Sequence, residues 1–435
     1  MKKFFIKTFG CQMNVYDSER IAIMLSKSGL SYTDCASKAD IIIINSCSVR
    51  EKPLQKLFSC AGRYLPLKKE KGVKIFIVGC VAQQLGKEII EIAPYIDAVL
   101  GPGAEALIPE IVMKGKYPVV STEKELLEAE EIFPDDSKGV FFEKESSSIT
   151  VMHGCDNFCS YCIVPFVRGR EISRKMASIL NEVDILLDKG IVEITLLGQN
   201  VNSYRDSATG ADFTDLLYEV AKKERLLRLR FTTSHPKDFN EKLALSFAEI
   251  PKLMPSLHLP AQSGSDRILK MMNRKYTLSD YMNKLDMARK HCPDIALSSD
   301  FIVGFPGETE KDFEETLKLI DEAEYDTIFA FAYSPRPMTA ALKLDDNVDA
   351  KVKARRLNLL LDLQKKKMKE VRNRYLNRVV KILIEKKSPK GETYMGRNEH
   401  NIISHVINST KDEIGTVLDV KILEILENTL RGQKI

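Results

Sequence analysis

Apolar residues along this chain fall into two alternating series and then a segment of different character. In the first third, short apolar runs at 3–9, 41–45 (IIIIN), 74–79 (KIFIVG) and 98–101 (AVLG) read as strands, and 17–28 reads as a helix. The run at 41–45 has no polar face, as a strand covered on both sides requires. Strands separated by helical stretches predict a parallel, doubly wound α/β sheet. A second series has strand candidates at 149–153, 192–197, 229–233, 256–259, 296–303 and 327–332, with amphipathic stretches such as 176–189 and 310–322 between them. That succession of β/α units predicts a partial or complete TIM-like barrel. After a long basic helix at about 350–373, short β-rich runs at 379–384, 393–396, 402–406 and 416–425 alternate with polar turns. This is the pattern of a small antiparallel β-barrel.

Charge sharpens the boundaries. Residues 123–145 hold nine acidic and three basic side chains, and a serine run follows at Ser146–Ser148. The chain therefore divides into an N-terminal domain (1–122), a linker (123–148), a β/α domain with the trailing basic helix (149–374) and a C-terminal domain (375–435). With 44% hydrophobic and 29% charged residues, the composition excludes a mainly disordered chain. A net charge of +4 is too mild to indicate a nucleic-acid partner by itself. No signal-peptide core fits the first residues, and no apolar run of about 18 residues exists to span a membrane. A cytoplasmic location is expected, so the nine cysteines are read as thiols, metal ligands or catalytic groups, not disulfides.

Cys155, Cys159 and Cys162 form Cys-x3-Cys-x2-Cys just after the first strand of the β/α series. A structural zinc site or buried cysteines would also account for the spacing. However, three thiolates on one tight loop can hold three corners of a [4Fe–4S] cubane, which normally takes four cysteines. No fourth follows closely, so one iron would stay open for a small ligand. Cys11, Cys47 and Cys80 each end a strand candidate of the first series. In an open parallel sheet the carboxyl ends of strands lie together and bind ligands, so the three thiols should converge. Three buried cysteines acting as small apolar residues would fit the same pattern. Cys35, Cys60 and Cys292 sit at no strand end and read as packing residues.

The cysteine loop HGCDNFCSYCIVP at the head of a β/α series resembles the radical S-adenosylmethionine enzymes. The whole chain resembles the methylthiotransferases of that family, and among them the MiaB-type tRNA branch. The resemblance rests on TFGCQMNVYDSER (8–20), NSCSVRE (45–51), GCVAQQ (79–84), IVPFVRGREISR (163–174), LLGQNVNSY (196–204), HLPAQSGSDRILKMMNRKY (258–276), DFIVGFPGETE (300–310) and AYSPRPMTAA (332–341). Lys175 and Met338 replace the usual Pro and Gly, and Phe166 and Val167 the usual Tyr-Thr. The resemblance implies a radical barrel followed by a TRAM domain, an RNA-binding barrel. It implies two [4Fe–4S] clusters, on Cys155, Cys159 and Cys162 and on Cys11, Cys47 and Cys80, with S-adenosylmethionine as cofactor. Tyr161, Gly198, Gln199, Gln262, Ser263 and Asp300 become candidate cofactor contacts. Gln199 stands where Glu is common.

The implied reaction is methylthiolation of C2 of N6-isopentenyladenosine at tRNA position 37. One S-adenosylmethionine would donate the methyl group, and another would yield the 5′-deoxyadenosyl radical that abstracts the C2 hydrogen. That C–H bond is unactivated, so the chemistry belongs to the cofactor and no acid–base residue is assigned. The implied partners are the tRNA anticodon loop, an electron donor such as flavodoxin and a sulfur donor, with a monomeric enzyme and no membrane. Arg168, Arg170 and Arg174 border the cysteine loop and are expected to hold RNA phosphates. The stretch 343–374, with eleven basic and five acidic residues, reads as either a solvated face or a second RNA contact. Phe166 is a candidate for an apolar patch that takes the isopentenyl group. His153 is read as a packing residue, while His235 and His258 could line the cavity. The alternatives are a related enzyme acting on threonylcarbamoyladenosine or a ribosomal protein, and an RNA-binding protein with structural clusters.

Overall fold

In the computed structural model the described residues are 1–48, 51–122, 145–389, 391 and 393–435. The expected linker at 123–148 lies outside them except for its last residues. The N-terminal domain is a six-stranded, all-parallel sheet of β1 (Lys3–Phe9), β2 (Ser31–Tyr32), β3 (Ile41–Ser46), β4 (Lys74–Val78), β5 (Ala98–Leu100) and β6 (Val119–Ser121), in the order β2-β1-β3-β4-β5-β6. Successive side chains of a strand point to opposite faces. Ile41, Ile43, Phe76 and Val78 therefore join one core, and Ile42, Ile44, Ile75 and Ile77 join a second core on the other face. Both faces need helices, which is why β3 carries no polar position before its end.

The β/α domain begins earlier than the sequence suggests. β7 is Ser146–Thr150, so the serine run is strand and not linker. The chain then turns into β8 (Met152–His153), which forms a small hairpin with β9 (Ile172–Ser173) around the cysteine loop. The parallel strands β7, β10 (Glu193–Leu197) and β11 (Arg228–Thr232) form one group. A second group holds β12 (Ser256–His258), β13 (Ala296–Val303) and β14 (Thr327–Ala332). A parallel bridge between Leu229 and Leu253 links the groups into an incomplete barrel over one continuous apolar core.

The C-terminal domain is a closed barrel of β15 (Val379–Lys387), β16 (Tyr394–Asn398), β17 (Ile403–Ile407), β18 (Val417–Ile425) and β19 (Leu430–Lys434). Sequence reading missed β19, which closes the barrel through a parallel pair with β17. This domain docks on the β/α core at the amino ends of β7, β10 and β11. Arg228 and Arg230 donate to the carbonyls of Lys381, Arg397, Asn398 and Glu399 at 2.7–3.0 Å. Glu193, fully buried, accepts from Arg230 at 3.0 Å and from Arg397 at 2.8 Å. Among the described residues no helix is long and apolar enough to cross a membrane.

Candidate metal and cofactor centre

The helix Gln12–Lys27 packs against the β/α domain through Met13 and Tyr16, which meet Leu197. The short helix Cys80–Leu85 meets the helix Val164–Val167, so Cys80 shares an apolar cluster with Ile163 and Val167. Since Ile163 follows Cys162, the packing of Cys80 on Ile163 brings the two cysteine sets to the same domain contact.

The first set lies just past the carboxyl ends of three neighbouring strands. Cys11 follows β1 and caps the helix at Gln12, Cys47 follows β3, and Cys80 opens the helix after β4. The β1 loop crosses the β3 loop closely. Gly10 has φ +146°, and a Cβ there would lie 2.6 Å from the Cβ of Cys47. Asn14 donates to Asn45 at 3.0 Å and ties the same loops together. Cys11 as a residue keeps solvent contact although its thiol is largely enclosed, whereas Cys47 and Cys80 are buried. The hydrogen bond with Cys47, helped by the charge of Arg168, lowers the Cys11 thiol to about 6 against the opposing effect of burial. Burial raises Cys80.

The second set sits in the loop enclosed by β8 and β9. Gly154 has φ +73°, and a Cβ there would lie 1.9 Å from the carbonyl oxygen of Arg170, so only glycine fits between the two arms. Burial, reinforced by the neighbouring thiols, raises Cys155 to about 11 and Cys162 to about 12. Without a metal these thiols keep their protons; a bound cation removes them.

Each set is touched by one buried arginine. Arg274 donates to the Cys159 sulfur and the Tyr161 hydroxyl, each at 3.4 Å, and to Pro260 O at 2.7 Å, while its Nε donates to Tyr276. It is 3% exposed and has no carboxylate partner among the described residues. A buried cation needs an anion. Three thiolates on a cluster, beside this guanidinium, would supply one, so the donor set fits an iron–sulfur group. Arg168 donates to the Cys80 sulfur at 3.3 Å and to Asp17 at 2.6 Å. Among the described residues no three or more Cys, His, Asp and Glu side chains are placed closely enough to hold a metal ion without moving.

The structure separates the three arginines expected to hold RNA phosphates. Arg168 is spent on Asp17 and Cys80, and Arg174 on Glu182 at 2.7 Å and Thr150 O at 2.8 Å; both side chains are 4% exposed. Both are buried and paired; Arg168 crosses to the N-terminal domain through Asp17, and Arg174 through the Tyr16 hydroxyl at 3.2 Å. Arg170 alone stays at the surface, 72% exposed.

The other candidates spread around the carboxyl ends of the strands. Gly198 and Gln199 follow β10, and the buried Gln199 Oε1 has no hydrogen-bond partner among the described residues. Gln262 has φ +74°, and its amide donates to Asp300 O at 2.8 Å. Asp300 lies 3.5 Å from His258 Nε2, whose Nδ1 meets Ser298 at 3.0 Å, so His258 borders the same region. The Ser263 hydroxyl is turned inward, accepting from the Ser265 amide at 3.2 Å and meeting Thr316 at 3.4 Å. His235 caps a short helix by accepting from the Lys237 amide. Burial, with Arg20, Arg168 and Arg174 nearby, pushes His153 well below its usual range. Sequence reasoning missed Arg274 and Asp17, although both lie inside motifs that carried the resemblance.

Three family models match the chain: the Radical SAM superfamily over 149–320, Uncharacterized protein family UPF0004 over 3–101, and the TRAM domain over 373–435. The tRNA-2-methylthio-N(6)-dimethylallyladenosine synthase of Acidovorax sp. (strain JS42) is 45% identical, covering 100% of this chain and 98% of its own length. The protein of that name from Geobacter metallireducens is 43% identical over 99% of this chain and 98% of its own. Among solved structures, the radical S-adenosylmethionine methyltransferase TsrM from Kitasatospora setae aligns with a TM-score of 0.60 at 14% identity, over 78% of this chain and 77% of that one. At that identity the likeness concerns the fold.

Proposed function

Because the chain belongs to the tRNA-2-methylthio-N(6)-dimethylallyladenosine synthase family, we propose that it methylthiolates C2 of N6-isopentenyladenosine at tRNA position 37. The observation that carries this reading is that two three-cysteine sets, each touched by its own buried arginine, lie at one domain contact. When bound, a [4Fe–4S] cluster and S-adenosylmethionine supply the C–H cleavage, and a second cluster supplies the site of sulfur methylation.

The residues of this chain provide the setting. Cys155, Cys159 and Cys162 would hold the radical cluster, with Arg274 balancing its negative charge. Cys11, Cys47 and Cys80 would hold the second cluster, with Arg168 donating to one sulfur while Asp17 offsets that arginine's charge. The Arg168–Asp17 ion pair, and the Tyr16 hydroxyl that meets both Arg174 and Glu182, tie the N-terminal domain to the β/α domain beside the two sets. Tyr161, Gly198, Gln199, Gln262 and Asp300 are assigned to the cofactor; Ser263 supports them through Thr316. An electron donor, a sulfur donor and a monomeric state complete the proposal.

The C2 edge of adenine is hidden in a stacked, paired helix, so the base must leave a loop at a cost of about a few kcal/mol. Burying the isopentenyl group, at about 25 cal/mol per Å2, offsets part of that cost. The test offers matched tRNAs with unmodified, isopentenylated or threonylcarbamoylated adenosine and analyses their nucleosides by mass spectrometry. Methylthio product from the isopentenylated tRNA is expected. Equal turnover of the unmodified tRNA, or preference for the threonylcarbamoylated one, contradicts the assigned substrate.

A further inference from the structure

One side chain of the cysteine loop is explained neither by packing nor by ligation. Phe158, directly before Cys159, is 39% exposed at the tip of the loop. Its φ of +46° lies in the left-handed region, which a phenylalanine seldom occupies. Asn273 holds that backbone by donating to the Phe158 carbonyl at 2.9 Å. An apolar ring held in a strained conformation and left in solvent is a pattern found at functional sites.

The ring has company of a particular kind. The Arg170 guanidinium lies over it, 5.3 Å from the centroid. Arg170 is itself steadied by Asp156 at 2.8 Å. Phe166 meets Phe158 edge-on, with centroids 6.3 Å apart and planes at 84°. The second ring buttresses the first, and the guanidinium adds positive charge at the rim. Unpaired RNA bases are bound in this way, stacked on an aromatic ring or a guanidinium plane while cations meet the backbone.

Resting on the RNA substrate of the reading above, we propose that Phe158 and Arg170, backed by Phe166, form a stacking platform for a nucleobase of the substrate loop. The base next to the modified one is the natural occupant, because the platform stands on the loop that carries Cys155 and Cys159. Phe166 is thereby given to the platform and not to the isopentenyl group.

The test uses the full-length, cluster-loaded protein and an isopentenylated anticodon stem–loop RNA. Ultraviolet irradiation of the wild-type complex should give an RNA adduct at Phe158 by mass spectrometry. At matched iron content, Phe158→Leu should weaken binding about tenfold or more, while Phe158→Tyr stays near wild type. The dependence of log K on log salt should be unchanged in Phe158→Leu, since a stacked ring neutralises no phosphate. In Arg170→Gln that slope should fall by about one. Wild-type binding without the adduct, together with unweakened binding by Phe158→Leu, overturns the platform and leaves the RNA reading intact. No RNA binding by the wild type overturns both.

Discussion

At the scale of single residues, chemistry rests on side chains whose partners are far away in the chain. The cysteines were legible because each set is marked locally, by spacing or by a strand end. Arg168 was not, because its partner Asp17 is 151 positions away and a buried arginine looks like an exposed one in sequence. Arg274 is the more telling case, since no carboxylate offsets it. Removing its charge should disfavour the more negative, reduced state of the adjacent cluster. In a protein with Cys11, Cys47 and Cys80 changed to Ala, Arg274→Gln should therefore move the midpoint potential of the remaining cluster to a more negative value. An unchanged potential would show that the guanidinium is not the counter-charge. A second prediction concerns Met338, which stands where the family usually has glycine. Its φ is +65° and its side chain is 52% exposed, so the strain is met with little packing in return. Relief of about 1–2 kcal/mol of left-handed strain, less about 0.4–1 kcal/mol for the flexibility glycine adds to the unfolded chain, should leave Met338→Gly more stable by about 0.5–1 kcal/mol. A lowered Tm would contradict this.

At the scale of elements, the apolar runs placed the parallel strands well, because burial on two faces leaves no ambiguity of period. Polar elements were harder. The helix Gln12–Lys27 begins before the expected start because Asn14, Asp17 and Ser18 are buried and hydrogen-bonded, which an apolar pattern does not display. Ser146–Ser148 form strand because β10 supplies their ladder partners. β19, reading LRGQK, was invisible because its pairing with β17 is fixed by barrel closure and not by composition. The junction beneath the core carries two further predictions. Glu193 is the carboxylate shared by Arg230 and Arg397, with Arg228 3.9 Å away. Arg397 keeps Glu385 at 2.7 Å, but Glu193→Gln leaves Arg228 and Arg230 without their buried carboxylate and should cost about 3–5 kcal/mol, seen as a lowered Tm and easier proteolysis near residue 375. His400, tilted against Tyr375 at 5.2 Å, is pushed down to about 4, chiefly by burial. Arg374, Arg378 and Arg230 reinforce the shift, and Asp294 opposes it. Between pH 6.5 and 4 the unfolded chain binds a proton that the folded one refuses. Stability should therefore fall on acidification through that window, by up to about 1.4 kcal/mol per pH unit. In His400→Gln that contribution should vanish; an identical pH profile would contradict the assignment.

At the scale of the whole molecule, the two flanking domains take different ends of one β/α core. The N-terminal sheet brings its cysteines to the carboxyl-end face beside the radical loop, and the C-terminal barrel docks at the amino ends of β7, β10 and β11. RNA that touches both must reach past the length of a strand, about 17 Å for five residues at 3.3–3.4 Å each. The domain contact that carries both cysteine sets is where the two halves of the reaction would meet, and their division of labour is the central claim. The most direct measurement is the yield of 5′-deoxyadenosine and of methylthiolated adenosine from isopentenylated tRNA, in wild-type and Cys47→Ala protein under reducing, anaerobic conditions. The account predicts that Cys47→Ala still releases 5′-deoxyadenosine but makes no methylthio product. Methylthio product formed by Cys47→Ala in the wild-type ratio would contradict it.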